Sequence, residues 1–146
     1  MIVDDLKLNG RLTVDLIAED GTIKETQEIP NLVVTTGKTF VASRMAGASA
    51  GVMSHMAIGT SSAAAAASDT ALGAEVARVA LTSTTASNND VVYVGSFPVG
   101  TPSSAESIVE AAILNGDDTM LCRTVFSVIS KAPTDSLSIT WTVSAS

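Results

Sequence analysis

The segment Gly47-Ala48-Ser49-Ala50-Gly51 matches the G-x-S-x-G pattern that carries the nucleophilic serine of many hydrolases. In those enzymes the serine sits on a turn from a strand to a helix, whereas here the predicted helix comes before it and a strand follows. His55, the single histidine of the chain, comes six residues after Ser49 with no acidic residue between them. A loop of small residues therefore explains the segment better than a catalytic serine.

Two further features could bind a ligand, and each has a simpler structural interpretation. Gly37-Lys38-Thr39 matches the end of a phosphate-binding P-loop, but that motif needs a glycine five positions before Gly37, where Leu32 stands. We interpret this segment as the start of a helix. His55 has no second imidazole and no neighbouring carboxylate to complete a zinc site. A partly buried or interface histidine is the favoured interpretation.

The segment Asn115-Gly116-Asp117-Asp118 offers oxygen ligands of the kind that a calcium ion prefers. The same residues are what a tight hairpin turn requires, and strand-like segments flank them on both sides. The turn is the favoured interpretation, and a bound ion at Asp117 and Asp118 stays open.

Cys122 is the single cysteine, so neither an intrachain disulfide nor a cysteine-based metal site can form. It alternates with Met120 and Phe126 on one face of a predicted strand, which indicates a buried thiol. No set of residues suited to acid–base, nucleophilic or metal chemistry is left. The sequence therefore predicts a protein that is not an enzyme and that uses no cofactor or metal.

Composition and charge narrow the fold class and the kinds of partner. Much of the 46% hydrophobic content is alanine, and with three Phe, one Trp and one Tyr the core must rest on Val, Ile and Leu, which favour strands. The net charge of −7 arises from 15 acidic and 8 basic residues, and the basic residues form no cluster in the sequence. Nucleic acids and anionic membranes are therefore unfavourable partners.

The chain start, MIVDDLKLNG, has two aspartates where a signal peptide would have basic residues and an apolar run. No segment approaches the roughly 20 apolar residues of a membrane-spanning helix. We expect the protein to be made in soluble form in the cytoplasm. A length of 146 residues predicts a single domain over 1–146, with a short N-terminal arm at about 1–7.

Alternating apolar and polar residues predict strands along most of the chain. Even positions from Leu6 to Ala18 are mostly apolar, and Glu19-Asp20-Gly21 predicts a hairpin turn into a strand at 22–29. A short helix is predicted at about 36–46, entered near Thr35 or Thr36 and ended by Gly47. The remaining strands are predicted at residues 52–59, 75–84, 91–97, 107–114, 119–130 and 136–144.

Seven or eight short strands separated by turn signals predict an all-β fold, a β-sandwich or a jelly-roll-like barrel. The five alanines from Ala63 to Ala67 could suggest a linker between domains, but similar strand signals continue on both sides. We predict a surface crossover loop within one domain. Ser68-Asp69-Thr70 is expected to cap a short turn that ends near Gly73.

A series of short segments stands in a distinctive order after Pro30. They are Asn31-Leu32-Val33, Gly37-Lys38, Ala57-Ile58-Gly59-Thr60, the segment 68–78, Glu110-Ala111, Arg123-Thr124-Val125-Phe126 and Thr140-Trp141-Thr142. In this order and spacing, over roughly three quarters of the chain, the sequence resembles a group of small virion proteins of tailed bacteriophages. Relatives often have a glycine where Asp117-Asp118 stands here.

The resemblance implies a non-enzymatic structural role in the virion. Proteins of this kind serve as capsid cement or decoration proteins, or as tail-fibre, collar or adaptor components. A receptor-binding fibre needs a repetitive shaft or a second domain, which this sequence does not predict. The expected role is therefore a decoration protein that binds the mature capsid lattice and stabilises it by mass action. Attachment to the tail is the alternative.

The expected partners are other copies of the chain and the major capsid protein, or else tail and neck proteins. Copies that match a symmetric shell or tail should form a symmetric oligomer, with a trimer the leading expectation. The N-terminal arm should reach over a neighbouring subunit, with Met1, Ile2 and Val3 as contacts. The alanine run supplies the other candidate contacts: Ala63, Ala65 and Ala67.

A carbohydrate-binding β-sandwich is a less favoured interpretation. Sugar sites need exposed aromatic platforms and paired carboxylates. Tyr93 and Trp141 are the available candidates, and Trp141 falls on the apolar face of its predicted strand. We therefore expect Trp141 to be a core residue.

Overall fold

The computed structural model describes residues 7–49 and 51–145. These residues form nine strands and one helix, so the predicted all-β class with a single short helix is confirmed. The elements are β1 (Leu8–Ile17), β2 (Ile23–Val33), α1 (Thr35–Met45), β3 (Met53–Gly59), β4 (Glu75–Ala80), β5 (Ser83–Ser87), β6 (Asp90–Phe97), β7 (Glu106–Asn115), β8 (Met120–Lys131) and β9 (Ser136–Ala145).

The nine strands form one curled sheet in the order β4-β3-β7-β8-β2-β1-β9-β6-β5, and every pairing is antiparallel. Strand β2 is shared between the two halves of the sheet. Its residues up to Asn31 pair with β1, and Leu32 and Val33 pair with β8. The curl brings the two halves face to face as the layers of a sandwich, with one hydrophobic core drawing on both.

The inner face of the first layer is built from side chains that lie opposite one another on neighbouring strands. Leu12 of β1 pairs with Trp141 of β9, which pairs with Tyr93 of β6. Leu16, Leu137 and Phe97 form a second such row. The side chains of Trp141 and Phe97 are completely buried, so the period-two pattern of β9 is confirmed and Trp141 is a core residue.

The second layer is buried on both faces over much of its length. On its inner side Ile113 and Met56 join the main core, while on its outer side Ala112 and Leu114 pack with Leu72 in a second apolar cluster. This explains why the β7 residues from Ile108 to Asn115 are all buried. The cover over the outer side is the segment between β3 and β4, which contributes Leu72.

Helix α1 begins and ends where the sequence predicts. Gly47 follows its C-terminus with a φ of +81°, the left-handed conformation that glycine adopts readily. No side chain caps its N-terminus at Val34. Instead, the first helical N–H, that of Thr35, donates to the carbonyl of Ala67 at 2.8 Å, and the hydroxyl of Thr36 donates to the carbonyl of Met120 at 2.9 Å.

The predicted strand at 75–84 is wrong, because the chain changes layer in the middle of it. β4 ends at Ala80, the N–H of Leu81 donates to Ser54 in β3, and the N–H of Thr82 donates to Val94 in β6. The chain then continues as β5 in the other layer. The predicted turn at 86–90 shortens to Asn88-Asn89, because β5 and β6 remain paired up to Ser87 and Asp90.

Gly37 sets how closely α1 approaches β8. A Cβ atom at this position would overlap the carbonyl oxygen and the Cα of Leu121. We expect Gly37→Ala to lower the free energy of unfolding by about 1–3 kcal/mol, because the helix must shift away from the strand. Without this contact the substitution should stabilise a helix by about 1 kcal/mol. Urea unfolding followed by circular dichroism measures the change.

Gly51→Ala is the matched control for this substitution. A Cβ at Gly51 meets no atom within 4 Å, and its φ is not in the left-handed region. Its effect should stay within about 0.5 kcal/mol. Equal stability of Gly37→Ala and the parent chain would contradict the close approach.

Candidate interaction site

The predicted contact alanines lie together on the segment 60–74 between β3 and β4, which we call the crossover loop after its predicted form. The segment contains neither helix nor strand, so its prediction as a loop is confirmed. The predicted crossover is wrong, because β3 and β4 are antiparallel neighbours and the segment joins them as a long hairpin loop. Ala63 and Ala67 are exposed and Ala65 is half-buried. The other three predicted contacts, at residues 1–3, lie outside the described residues.

A buried carboxylate holds both ends of the crossover loop. Glu110 of β7 is completely buried, and its Oε2 accepts the N–H of Ser61 at 3.0 Å and of Ala74 at 2.8 Å. Its Oε1 accepts the N–H of Gly73 at 2.9 Å. One side chain thus accepts hydrogen bonds from backbone N–H groups at the start and at the end of the loop. These N–H groups have no hydrogen-bond partner in a neighbouring strand.

Gly59, the last residue of β3, lets the backbone come this close to the carboxylate. A Cβ there would overlap both Oε2 of Glu110 and the carbonyl of Ala74. Glycine is therefore required at this position because a larger residue would overlap its neighbours, and not because the backbone has an unusual φ.

Arg123 of β8 neutralises Glu110 inside the protein. Its Nη2 and Nε donate to Oε1 of Glu110 at 3.0 and 3.2 Å, and it is only 2% exposed. Its remaining donors reach the loop: Nη1 binds Oδ2 of Asp69 at 2.9 Å and Nη2 also donates to the carbonyl of Ala63 at 3.0 Å. The guanidinium therefore links the buried carboxylate to the alanine run.

Asp69 closes the turn that follows the alanines. Its Oδ2 accepts the N–H of Ala66 at 2.8 Å, and its own N–H donates to the carbonyl of Ala66 at 3.0 Å. The expected turn ran from the segment 68–70 toward Gly73, whereas Asp69 instead closes the turn that precedes it, at residues 66–69. The same carboxylate oxygen also binds Arg123, so the turn and the buried pair form one network.

Two opposing effects set the pKa of Glu110. Burial alone would raise it, since a charged carboxylate loses its hydration. The N–H groups of Ala74, Ser61 and Gly73, together with Arg123, favour the charged form. The outcome is a pKa below the usual value of 4.5, so Glu110 is ionised at neutral pH.

The pairing of Glu110 with Arg123 is not among the predictions from the sequence, where the two residues stand only as parts of the pattern that carries the resemblance. A signal was present: each is a charged residue inside an apolar strand segment, 108–114 and 121–126 respectively. A charged residue in a strand with apolar neighbours on both faces needs a buried partner. Which residue pairs with which depends on the register, where Ala112, two residues from Glu110, lies opposite Arg123.

The residues considered for catalysis are not assembled into a catalytic group. Ser49 is exposed after the helix, and the hydroxyl 2.7 Å from Nδ1 of His55 belongs to Ser54 instead. His55 is partly buried on β3, which matches its favoured interpretation. Cys122 is buried as predicted, and burial raises the pKa of its thiol well above the usual value.

The segment 115–118 forms the predicted hairpin turn. Oδ1 of the buried Asn115 accepts the N–H groups of Asp117 and Thr119, both at 2.9 Å, and Asp118 forms an ion pair with Arg78. Across residues 7–49 and 51–145, no group of three or more His, Cys, Asp or Glu side chains is arranged to hold a metal ion.

Comparison with known proteins adds no relative: no family model, no curated protein and no solved structure matches this chain. Within the described part of the chain, no helix is long and apolar enough to cross a membrane.

Glu110→Gln tests the network. The amide keeps the shape of the side chain but removes its charge, which leaves Arg123 buried with Asp69 as its remaining carboxylate partner. We expect a loss of about 1–3 kcal/mol in the free energy of unfolding, because the amide NH2 group cannot accept the N–H groups that Oε2 accepts from Ser61 and Ala74. Hydrogen exchange of the Ser61, Gly73 and Ala74 amides should accelerate beyond the global change.

Glu19→Gln is the matched control, because Glu19 is exposed in the β1–β2 turn. Its effect should remain within about 0.5 kcal/mol. Unchanged protection of the three loop amides in Glu110→Gln would show that the carboxylate does not hold the loop.

Acid should weaken the same network. A carboxylate with a lowered pKa in the folded protein stabilises it above the unfolded value of 4.5, and this stabilisation is lost as the pH falls through the folded pKa. We therefore expect the free energy of unfolding to fall below about pH 4.5. The fall should be smaller in Glu110→Gln than in the parent chain, as urea unfolding at a series of pH values would measure. Equal pH dependence in the two proteins would contradict this assignment.

Proposed function

We propose that this chain is a non-enzymatic structural protein of a tailed-bacteriophage virion, and that it acts as a capsid cement or decoration protein. It binds the mature capsid lattice and stabilises the shell through binding alone. A ligand that binds only the assembled state shifts the equilibrium toward that state by mass action, so no chemical step is required.

One observation carries this proposal: several of the segments on which the resemblance to phage virion proteins rests lie next to one another in the fold. Leu32 and Val33 pair with Arg123 and Cys122, Gly59 adjoins Glu110, and the segment 68–78 supplies Asp69. Segments far apart in the sequence therefore build one network that holds the crossover loop. Their shared role supports treating the chain as the module that it resembles.

The form of the crossover loop favours binding to another protein. Ala63 and Ala67 present small side chains, which let a partner surface approach closely, while Arg123 and Thr35 hold their backbone carbonyls in place. A loop that is already ordered loses little conformational entropy when a partner binds. The net charge of −7 suits a neutral or basic patch on the capsid.

The proposed assembly is a symmetric oligomer, with a trimer the leading expectation. Many copies on a symmetric shell use equivalent contacts, which closed symmetry supplies. The proposed partners are further copies of the chain and the major capsid protein.

The two aromatic residues considered for carbohydrate binding, Tyr93 and Trp141, are both buried. Trp141 is 0% and Tyr93 8% exposed. Burial also raises the pKa of Tyr93 to about 12, as expected for a phenol inside the core. Neither ring offers the exposed face on which a sugar stacks.

The number of copies in a purified particle tests the proposal. For the phage that encodes this chain, quantitative mass spectrometry should find on the order of hundreds of copies, as expected for a protein that follows capsid symmetry. A count on the order of ten would favour the tail-fibre, collar or adaptor role. Absence from the particles would rule out a virion protein.

Substitutions on the crossover loop test which surface binds. In a chain carrying both Ala63→Arg and Ala67→Arg, we expect at least about a tenfold loss of particle affinity, or about 1.4 kcal/mol. The free energy of unfolding should change little, because both side chains are exposed. Ala105→Arg, on the exposed loop before β7, is the matched control. Undiminished incorporation of the double variant would exclude the loop as the contact.

A further inference from the structure

A second surface lies beside α1, which we call the α1 groove. One part lies between the start of β1 and the helix, and the other between the helix and the β5–β6 hairpin. Val41 and Met45 line both parts, whose volumes are about 590 and 530 Å³. Met45 is 78% exposed and Val52, in the second part, is 61% exposed. Large apolar side chains with this exposure mark a binding surface when they line one groove.

The groove arises where β2 leaves β1. Pairing of β1 with β2 begins at Gly10 opposite Asn31, whereas Leu8 and Asn9 lie beyond it and pair with β9. β2 turns away here to join β8 and then leads into α1. The first residues of β1 therefore face the helix across an open space lined by Leu8, Val41 and Ala42.

The charge of the groove differs from that of the whole chain. Three of the 8 basic residues line it, namely Lys7, Lys38 and Arg44, and among the described lining residues none is acidic. The chain as a whole carries a net charge of −7. A ligand that fits this groove should therefore combine apolar side chains with negative charge.

We propose that residues 1–6 of the same chain occupy the α1 groove. Their sequence, Met-Ile-Val-Asp-Asp-Leu, combines apolar residues with two aspartates. The apolar residues can pack against Met45 and Val52, and Asp4 and Asp5 carry charge opposite to that of the basic residues that line the groove. Burial of such apolar side chains contributes about 1.5–3 kcal/mol each when complete.

The position of the segment in the chain supports this occupant. Lys7 lines the groove, so residue 6 is attached directly to its wall. Six extended residues reach about 20 Å, and the 11 residues of α1 are about 16 Å long, so the segment can run the length of the helix. A tethered segment has an effective concentration in the millimolar range, which favours it over the same segment of a second copy.

This inference does not depend on a role in the virion. The apolar and acidic residues 1–6 are assigned to a site on their own molecule, whereas the sequence alone predicts that this arm reaches over a neighbouring subunit.

Disulfide trapping in the full chain tests the proposal. The variant carries Ile2→Cys and Met45→Cys, while the native Cys122 is buried and does not compete. Under mild oxidation we expect a disulfide within one chain, seen as a monomer on non-reducing gels with both new thiols lost. The control pairs Ile2→Cys with Thr134→Cys, an exposed position in the β8–β9 turn, at the opposite end of β1 from Leu8.

Charge reversal adds a second readout. Asp4→Lys with Asp5→Lys should slow formation of the disulfide between the two introduced thiols at least about tenfold, which corresponds to about 1.4 kcal/mol of docking free energy. Lys38→Glu with Arg44→Glu in the same chain should restore the rate. Arg11→Glu, an exposed position outside the groove, should not restore it.

Two results would overturn the proposal. Disulfide-linked dimers would assign the groove to a second copy of the chain. A rate of disulfide formation no faster than that of the Thr134→Cys control would exclude the segment as the ligand.

Discussion

The buried pair of Glu110 and Arg123 is the interaction on which the second layer of the sandwich depends. An ionised carboxylate in a protein interior is unstable by several kcal/mol unless hydrogen bonds replace its hydration. Glu110 accepts five such bonds, from Nε and Nη2 of Arg123 and from the N–H groups of Ser61, Gly73 and Ala74. Three of these five donors belong to the crossover loop, so the pair and the loop require each other.

The need for this arrangement follows from how the second layer is covered. Strand β7 is buried on both faces, and a segment without regular structure covers its outer face through Leu72. The backbone N–H and C=O groups of such a segment have no partners in a neighbouring strand. Burying them without hydrogen bonds would destabilise the fold. Glu110 and Arg123 provide an acceptor and donors from within the sheet itself. The loop in turn satisfies the first N–H of α1 through Ala67, which ties the helix to the same network.

The two candidate binding surfaces differ in chemistry, and this suits different ligands. The crossover loop presents small uncharged side chains on a fixed backbone, which suits close packing against a large protein surface. The α1 groove presents larger apolar side chains between basic residues, which suits a short apolar and acidic segment. The proposed virion role uses the first surface, and the proposed docking of the chain start uses the second. Both can operate in one molecule, because their lining residues do not overlap.

Local sequence determined most of the elements. Period-two alternation located β1 and β9 to within about two residues, and Gly47 ended the helix as expected, because both signals act between residues close in the chain. The buried thiol of Cys122 and the buried ring of Trp141 followed from the same alternation. Only the tertiary structure decided where the chain changes layer near Leu81, since a corner between layers depends on the acceptors that Ser54 and Val94 offer in the neighbouring strands. The same holds for the pairing of Glu110 with Arg123, which depends on strand register and on loop residues 36 to 49 positions before Glu110 in the sequence. A charged residue in an apolar strand indicates that it has a buried partner. Which residue is that partner depends on contacts between segments far apart in the sequence, and composition and local spacing do not determine these contacts.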